Sequence, residues 1–376
     1  MIYKDFKGEK LSALGLGCMR LPTLDGDYSK IDEATVREMV AYAFENGINY
    51  FDTAWGYHEG KSEPMMGKVL SEYPRESYNL ASKFPGFSLD NMKKVKEIFE
   101  SQLERCRTEY FDFYLFHNLC ESNIDWYLDP AFGLFDYLVS QKRAGRIRHL
   151  GFSSHANLDT MKRFLDAYSS ELEFCQLQIN YVDFDHQKAS EKVKLVASYG
   201  IPVWVMEPVR GGKLASLDDK SKAELDALRP GVSAPEWAFR FVQSIPEVVM
   251  TLSGMSNMEQ LKANIETYKT FAPASEEERN LLREKVSPRV LGCVPCTACR
   301  YCTERCPMGL DIPSLLSLYN DRVMKGGASD AKEKIAALDE NKRPSACLAC
   351  RSCEAVCPQN IKISEAFADF NKRLEK

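Results

Sequence analysis

Eight cysteines near the C-terminal end of the chain fall into two runs of identical spacing. Each run reads C-x2-C-x2-C-x3-C-P, and nine of the 13 cysteines in the chain lie between Cys293 and Cys357. Thiolates repeated at these short intervals have the spacing that holds iron–sulfur clusters. The first run contains Cys296, Cys299, Cys302 and Cys306, and the second contains Cys347, Cys350, Cys353 and Cys357. The two runs therefore predict two [4Fe-4S] clusters and one-electron chemistry.

The spacing resembles that of bacterial ferredoxins, in which the fourth cysteine of each run ligates the other cluster. This resemblance implies one cluster on Cys296, Cys299, Cys302 and Cys357, and a second on Cys347, Cys350, Cys353 and Cys306. Zinc is the alternative metal, because C-x2-C pairs also suit tetrahedral zinc, but two duplicated four-cysteine runs favour clusters. The 40 residues between the runs contain two helical stretches, which look like the α-helical ferredoxin domains of some dehydrogenases.

The other cysteines have weaker claims to a chemical role. Cys293 precedes the first run by the same two-residue gap, and we interpret it as a bystander that could substitute as a ligand. The remaining four, Cys18, Cys106, Cys120 and Cys175, show no repeated spacing and are expected to behave as small hydrophobic residues.

Four polar residues in the first third of the chain form a second chemical signal. Asp52, Tyr57, Lys83 and His117 lie at or just beyond the ends of three successive apolar runs. A tyrosine with an ordinary pKa of about 10 is a poor acid near neutral pH unless a cation stabilises its phenolate. Lys83 could supply that cation, Asp52 could keep the lysine charged, and a neutral His117 could donate to a substrate carbonyl.

These residues must be positioned by the strands that precede them. Short β-branched and aromatic runs alternate with helical patterns up to about residue 270, which is typical of repeated βα units and a parallel sheet. Eight such units predict a (β/α)8 barrel, whose functional residues lie at the C-terminal ends of its strands. The predicted strands begin at Leu11, Ile48, Tyr78, Tyr110, Ile147, Phe174, Ile201 and Val248.

The combination of Asp52, Tyr57, Lys83 and His117 at the ends of these strands resembles the catalytic tetrad of the aldo-keto reductases. The resemblance covers about residues 1–270 and implies hydride transfer between NADP(H) and a carbonyl or alcohol, with Tyr57 as the general acid. It also implies NAD(P) contacts, with NAD(H) as an alternative because no basic residue for a 2′-phosphate follows the eighth strand. The implied contacts are Gly17, Cys18, Met19, Asp52, Ser153, Ser154, Gln178, Met206, Glu207, Pro208, Val209, Gly254, Ser256, Gln260 and Asn264.

Composition sets the broad class of the protein. The chain has 376 residues, a formal net charge of -5 and 44% hydrophobic residues, which is close to the average for globular proteins. We therefore expect a cytoplasmic protein that binds neither nucleic acid nor membrane. The expected domains are a barrel over 1–270, a helical linker over 271–292 and a mainly α-helical ferredoxin-like domain over 293–376.

Two functional hypotheses follow from these signals. The first is an iron–sulfur aldo-keto reductase that acts on a small carbonyl or alcohol and exchanges electrons with the active site or with a redox partner protein. The alternative is a nucleotide-binding redox sensor or electron relay with little intrinsic turnover. A third, structural possibility is that the clusters only stabilise the short C-terminal domain, which is too small to depend on a hydrophobic core alone. A nicotinamide carries two electrons and each cluster carries one, so a flavin would be the usual intermediary, and its binding is left open.

Overall fold

The computed structural model describes residues 1–291, 294–325 and 329–375. Cys293, the expected bystander, lies outside this described part of the chain. By their internal contacts the residues form two compact units. The first unit contains residues 1–208 and 231–279, and the second contains residues 209–230 and 280–376.

The first unit contains a closed barrel of eight parallel strands, as the sequence predicts. Each strand pairs with the next one along the chain, and the last strand closes the barrel against the first. The barrel strands are β3 (Leu14–Gly17), β4 (Tyr50–Asp52), β5 (Asn79–Phe84), β6 (Phe111–Leu119), β7 (Ile147–Ser154), β8 (Phe174–Gln178), β9 (Val203–Met206) and β10 (Val248–Ser253), which follow the hairpin strands β1 (Tyr3–Phe6) and β2 (Glu9–Ser12).

The N-terminal hairpin is a feature that the sequence pattern did not predict. The sequence predicts one barrel strand in the apolar run from Leu11, but β2 pairs antiparallel with β1 and only β3 enters the barrel. Lys7 and Gly8 both have positive φ, which allows the tight turn between β1 and β2. The hairpin places Phe6 and Leu11 in a buried cluster with barrel residues such as Phe113 and Trp204.

Helices follow the barrel strands, as expected for βα units. Several begin at a side chain that caps the first turn; for example, Asp32 accepts from the backbone N–H of Thr35. The helices up to residue 267 are α1 (Glu33–Glu45), α2 (Ser62–Leu70), α3 (Leu89–Met92), α4 (Val95–Arg105), α5 (Ile124–Leu128), α6 (Leu134–Arg143), α7 (Leu158–Tyr168), α8 (Asp183–His186), α9 (Ala189–Ser198), α10 (Asp219–Leu228), α11 (Ala234–Gln243) and α12 (Met258–Thr267). Within the described residues, no helix is both long enough and apolar enough to cross a bilayer.

The C-terminal part of the second unit is helical around both cysteine runs. Its apolar core contains Leu310, Leu316, Ile363 and Phe370, and cysteines of both runs pack against it. The last helices of the chain are α13 (Glu276–Leu281), α14 (Ser287–Val290), α15 (Ile312–Lys325), α16 (Ala331–Ala336) and α17 (Ile363–Glu375), with a π-helical turn between α13 and α14. Helices α15 and α16 lie in the two stretches between the runs that the sequence pattern indicated.

Residues 209–230 belong to the second unit although they follow strand β9. The Nζ of Lys213 donates to the carbonyl oxygen of Val294 at 2.7 Å. A Cβ atom on Gly211 would lie only 2.1 Å from the carbonyl oxygen of Thr297. This segment therefore packs directly on the beginning of the first cysteine run. The domain limits expected from the sequence, at residues 270 and 292, stay a prediction.

The close approach at Gly211 makes a prediction about stability. Gly211 and Gly212 both have positive φ, so alanine at either position costs about 1 to 2 kcal/mol in backbone strain. Only Gly211 has a neighbour that a methyl group would overlap, whereas a Cβ at Gly212 meets nothing within 4 Å. We expect Gly211→Ala to lower the free energy of unfolding of the holoprotein by about 1 to 3 kcal/mol more than Gly212→Ala. Urea unfolding under anaerobic conditions measures both variants, and equal losses would contradict the packing.

Candidate active site and cluster ligands

The side chain of Lys83 lies at the centre of a buried polar group at one end of the barrel. Its Nζ lies 2.6 Å from Oδ1 of Asp52, 2.8 Å from the carbonyl oxygen of Thr53 and 3.3 Å from the hydroxyl of Tyr57. Asp52 ends strand β4, and Lys83 is the second-last residue of the neighbouring strand β5. The parallel register thus brings residues 31 positions apart into direct contact.

The group combines one cation with an acid and a phenol, all three of which are buried. Burial raises the pKa of Asp52, and the adjacent ammonium of Lys83 opposes that rise. The ammonium also lies 4.9 Å from the centre of the Tyr57 ring. A positive charge so close to a phenol stabilises its phenolate form, and low polarity strengthens the interaction. The arrangement can therefore release and recover a proton at the Tyr57 hydroxyl.

His117, on strand β6, lies next to Tyr57. The two rings meet edge to face with their centres 6.1 Å apart. Burial holds the pKa of His117 well below its usual value, and the nearby Lys83 and His155 lower it further. A histidine in this setting is neutral at physiological pH, so one ring nitrogen carries a proton that it can donate. The hydroxyl of Tyr127 donates to the backbone oxygen of His117 at 2.6 Å and fixes this part of the strand.

A second buried hydrogen-bond network contacts the backbone of Lys83. The sequence did not predict this network. Glu63 on helix α2 accepts from Ser82 at 2.6 Å and from Gln102 at 2.6 Å. The same amide group of Gln102 contacts the carbonyl oxygen of Lys83 at 3.1 Å. Arg105 forms an ion pair with Glu63 at 3.2 Å, which compensates a carboxylate with no exposed surface. These contacts hold the Lys83 backbone in place, which the spacing of the residues along the chain does not reveal.

His58 directly follows Tyr57 in the sequence and contacts two residues of the loop after β3. The ring is fully buried and is stacked on Tyr28 at 4.4 Å. Its Nε2 accepts from the N–H of Leu21 at 3.1 Å, and its Nδ1 lies 2.7 Å from the carbonyl oxygen of Tyr28. This pair of partners assigns the proton to Nδ1. His58 therefore joins the loop after β3 to the loop that carries Tyr57.

The expected nucleotide contacts lie at the ends of strands and in the loops that follow them. Gly17 pairs with Asp52 across strands β3 and β4, while the Cys18 thiol is fully buried and burial raises its pKa. Met19, Met206, Glu207 and Val209 are half-buried, Gly254, Ser256 and Gln260 are exposed, and Ser153, Ser154, Gln178, Pro208 and Asn264 are buried. The contacts of these residues with nucleotide stay predictions.

Internal hydrogen bonds organise several of these side chains. The Ser153 hydroxyl accepts from the N–H of Asn118 at 2.8 Å, and Nε2 of Gln178 donates to Asp183 at 2.7 Å. In the loop after β10, the backbone N–H of Ser256 donates to the side chain of Gln260 at 2.8 Å. The polar groups are thus held in fixed orientations by protein contacts, as a specific binding site requires.

Arg20 links three of the expected contact segments, and the sequence reading overlooked it. Its guanidinium lies 3.7 Å from Glu207, and its carbonyl oxygen accepts from the Ser256 hydroxyl at 3.0 Å. A Cβ on Gly254 would lie 3.0 Å from the Arg20 side chain. The available signal was its place directly after Met19, but sequence alone does not show that the loop after β3 lies beside the loop after β10. Arg20 is a half-buried cation of the kind that binds phosphate.

The two cysteine runs contribute to two separate cavities. One cavity is lined by Cys296, Cys299 and Cys302 of the first run together with Cys357 of the second. The other is lined by Cys347, Cys350 and Cys353 of the second run together with Cys306 of the first. Within the described residues, no three potential metal-ligating side chains converge as tightly as a single metal ion requires. Each cavity has the four-thiolate donor set of a [4Fe-4S] cluster, so the residues fit that group.

The two loops also share a backbone conformation. Ala298 and Arg300 in the first run have positive φ, and so do Ala349 and Arg351 at the matching positions of the second. In the first loop, this left-handed conformation accompanies a contact between a backbone N–H and a sulfur atom. The N–H of Ala298 contacts Sγ of Cys296 at 3.4 Å. Hydrogen bonds of this type stabilise cluster thiolates.

Comparisons with known proteins agree with both parts of this description. The aldo/keto reductase family profile matches residues 13–287, and a 4Fe-4S dicluster domain profile matches residues 295–361. The oxidoreductase YqkF of Bacillus subtilis is 26% identical over 72% of this chain and 92% of its own length. L-galactose dehydrogenase of Arabidopsis thaliana is 27% identical over 69% of this chain and 84% of its own length.

A solved structure has the same barrel. The holo form of aldo-keto reductase AKR11C1 from Bacillus halodurans aligns with a TM-score of 0.62 and 26% sequence identity. The alignment covers 76% of this chain and 96% of that protein.

Proposed function

The chain belongs to the aldo-keto reductase family and carries a 4Fe-4S dicluster domain, and from this we propose that it transfers hydride between NADP(H) and a small carbonyl or alcohol. The observation that carries the proposal is the 3.3 Å separation between Nζ of Lys83 and the hydroxyl of Tyr57. A buried phenol beside a lysine ammonium is suited to exchange a proton with a substrate oxygen. Lys83, Tyr57 and their partners Asp52 and Thr53 all lie within the barrel unit.

In the direction of reduction, NADPH would supply the hydride when bound. Tyr57 would donate its hydroxyl proton to the carbonyl oxygen as that oxygen gains negative charge. The ammonium of Lys83, 3.3 Å from the hydroxyl, would stabilise the phenolate that remains. His117 would donate a second hydrogen bond to the same oxygen and orient the carbonyl, while Asp52 would keep Lys83 charged. In alcohol oxidation the proton would move in the opposite direction.

We further propose that Arg20 belongs to the nucleotide site alongside the residues expected from the family resemblance. Those residues lie at or after the ends of six barrel strands, and Arg20, which follows β3, contacts two of these segments through Glu207 and Ser256. An arginine can bind a phosphate through two parallel N–H donors, which would compensate for the basic residue missing after strand β10. The carboxylate of Glu207 would then compete with the nucleotide for this guanidinium.

The C-terminal domain would hold two [4Fe-4S] clusters, one in each cysteine-lined cavity. Each cluster carries one electron and the nicotinamide carries two, so exchange between them requires a group that handles both kinds of transfer. A flavin is the usual group of this kind, and a substrate that accepts single electrons is the other. We propose that residues 293–376 form this electron-transfer domain, after a barrel of residues 1–270 and a linker of residues 271–292.

The direct test uses anaerobically purified holoprotein in two assays. In the first, NADPH or NADH oxidation is followed with a panel of aldehydes and ketones. We expect carbonyl-dependent oxidation that is faster with NADPH. In the second, chemically reduced clusters freed of excess reductant are mixed with NADP⁺, and the absorbance of the clusters and of NADPH is followed together.

The outcomes separate the alternatives. Tight nucleotide binding with negligible turnover on every carbonyl would favour the relay or sensor function over the reductase. Formation of NADPH as the clusters are oxidised would show that the two redox systems exchange electrons and that a two-electron group takes part. If the clusters stay reduced while NADP⁺ binds, they exchange electrons with another partner or stabilise the fold.

A further inference from the structure

The two cysteine runs have the same spacing but very different exposure. Thr297 and Leu348 occupy the same position, directly after the first cysteine of each run, and are 2% and 64% exposed. Cys299 of the first run is half-buried, whereas the matching Cys350 of the second run is exposed. Because the two loops share their backbone conformation, this difference comes from what packs against each of them.

The first loop is covered by residues 209–230 of the same unit. Gly211 lies against the backbone of Thr297, and Lys213 donates to the carbonyl oxygen of Val294. The corresponding surface of the second loop carries an exposed leucine, which is the most exposed large hydrophobic residue among the described residues. Leu348 also lines the second cavity, so this exposed apolar side chain lies directly beside the expected cluster.

The charged residues around the two cavities also differ. Arg300, in the first loop, forms an ion pair with Asp311 at 3.2 Å. The matching Arg351 is exposed, and its charge helps to lower the pKa of the nearby carboxyl of Glu354. Arg351 and Arg305, which is also exposed, are the only charged residues among the described side chains that line the second cavity. The second cavity is therefore bordered by positive charge around an apolar residue.

We propose that Leu348, Arg351 and Arg305, together called the second-cluster face, dock an acidic one-electron carrier protein. The proposal rests on the electron-transfer role of the clusters proposed above and specifies which cluster meets the partner. In each encounter the carrier loses one electron and the cluster on Cys306, Cys347, Cys350 and Cys353 gains it, or the reverse. The covered first loop leaves the other cluster without an equivalent exposed edge.

The composition of the face favours this kind of partner. Transient redox complexes have small interfaces, and their specificity and association rates depend strongly on complementary charge. A partner with carboxylates around an apolar contact would pair with the two arginines and cover Leu348. Cys350, a ligand of the expected cluster, is exposed at this surface and would offer a short path for the electron.

The test measures electron transfer with a defined probe. A plant-type [2Fe-2S] ferredoxin, which is acidic and has a reduction potential of about −400 mV, is mixed anaerobically with the holoprotein in a stopped-flow instrument. Transfer is followed in both directions and over a range of salt concentrations. The variants are Arg351→Glu, the milder Arg351→Gln and Leu348→Ser. Lys194→Glu, at an exposed position on helix α9 of the barrel, is the matched control because it changes the net charge equally.

We expect Arg351→Glu to lower the second-order rate constant about tenfold at low salt, with a smaller effect at high salt. Arg351→Gln should give an intermediate loss, Leu348→Ser a loss that salt does not remove, and Lys194→Glu less than a twofold change. Iron content and cluster absorbance must match the wild type before the rates are compared. Carbonyl reduction with NADPH is assayed separately, so failure of the proposed reductase function is distinguishable from failure of docking.

Three results would overturn the proposal. Equal rate constants of electron transfer for Arg351→Glu and Lys194→Glu would show that the charge of Arg351 does not contribute to docking. The absence of electron transfer between ferredoxin and wild-type holoprotein in either direction would exclude a carrier of this class. A dimer that dissociates in Leu348→Ser, with unchanged transfer rates, would assign the face to a second copy of the chain.

Discussion

Tyr57→Phe is expected to lower kcat for carbonyl reduction by roughly 10²- to 10⁴-fold, the usual contribution of a general acid. The substitution removes the only atom of this side chain that can give a proton to the substrate and retains the ring that packs against His117. Nucleotide binding should change little, because the lost hydroxyl acts on the carbonyl oxygen. Steady-state kinetics with NADPH and an aldehyde, together with a fluorescence titration of NADPH, measure both quantities.

Tyr199→Phe provides the control for loss of a tyrosine hydroxyl. Tyr199 lies at the end of helix α9, where its hydroxyl donates to Asp166 on the protein surface. Its variant should keep the wild-type rate. A Tyr57→Phe protein that binds NADPH and turns over normally would exclude Tyr57 as the proton donor and would remove the central step of the proposed mechanism.

Cys357→Ser is expected to remove the cluster of the first run, although Cys357 belongs to the second run. The cavity that contains Cys357 is otherwise lined by Cys296, Cys299 and Cys302. Serine is a much poorer ligand for iron than a thiolate, so the variant should lose close to half of the iron and one of the two reduced-cluster spectra. Iron analysis and electron paramagnetic resonance of the reduced protein provide the readout.

Two reference variants identify the cluster that is lost. Cys299→Ser and Cys350→Ser each remove a cysteine from the middle of one run and define the spectra of the first and second clusters. The Cys357→Ser spectrum should match that of Cys299→Ser, and Cys306→Ser should match Cys350→Ser. The opposite pairing would mean that each run ligates its own cluster, and it would contradict the assignment drawn from the cavities.

The fold and the chemistry of both regions follow largely from local sequence. Alternating strand and helix patterns predicted the eight-stranded barrel, because the period of apolar residues reflects which faces of each element are buried. Parallel strands of a barrel bring their C-terminal ends to one side, so residues at successive strand ends were expected to be neighbours. Lys83 and Asp52 lie in contact for this reason, although their catalytic roles remain proposals.

The sequence by itself determined the barrel, the candidate acid and its neighbours, and the two four-cysteine runs, because each of these depends on spacing within one segment or on strand order. Only the tertiary structure decided which loops pack together. Leu21 meets His58, Arg20 meets Glu207, and Gly211 meets Thr297 through contacts between distant segments that have no periodic signal. The same reason explains the two cysteine loops. Their spacing and backbone conformation are alike, but one is covered by residues 209–230 and the other exposes Leu348, since burial depends on the neighbours that the whole fold supplies.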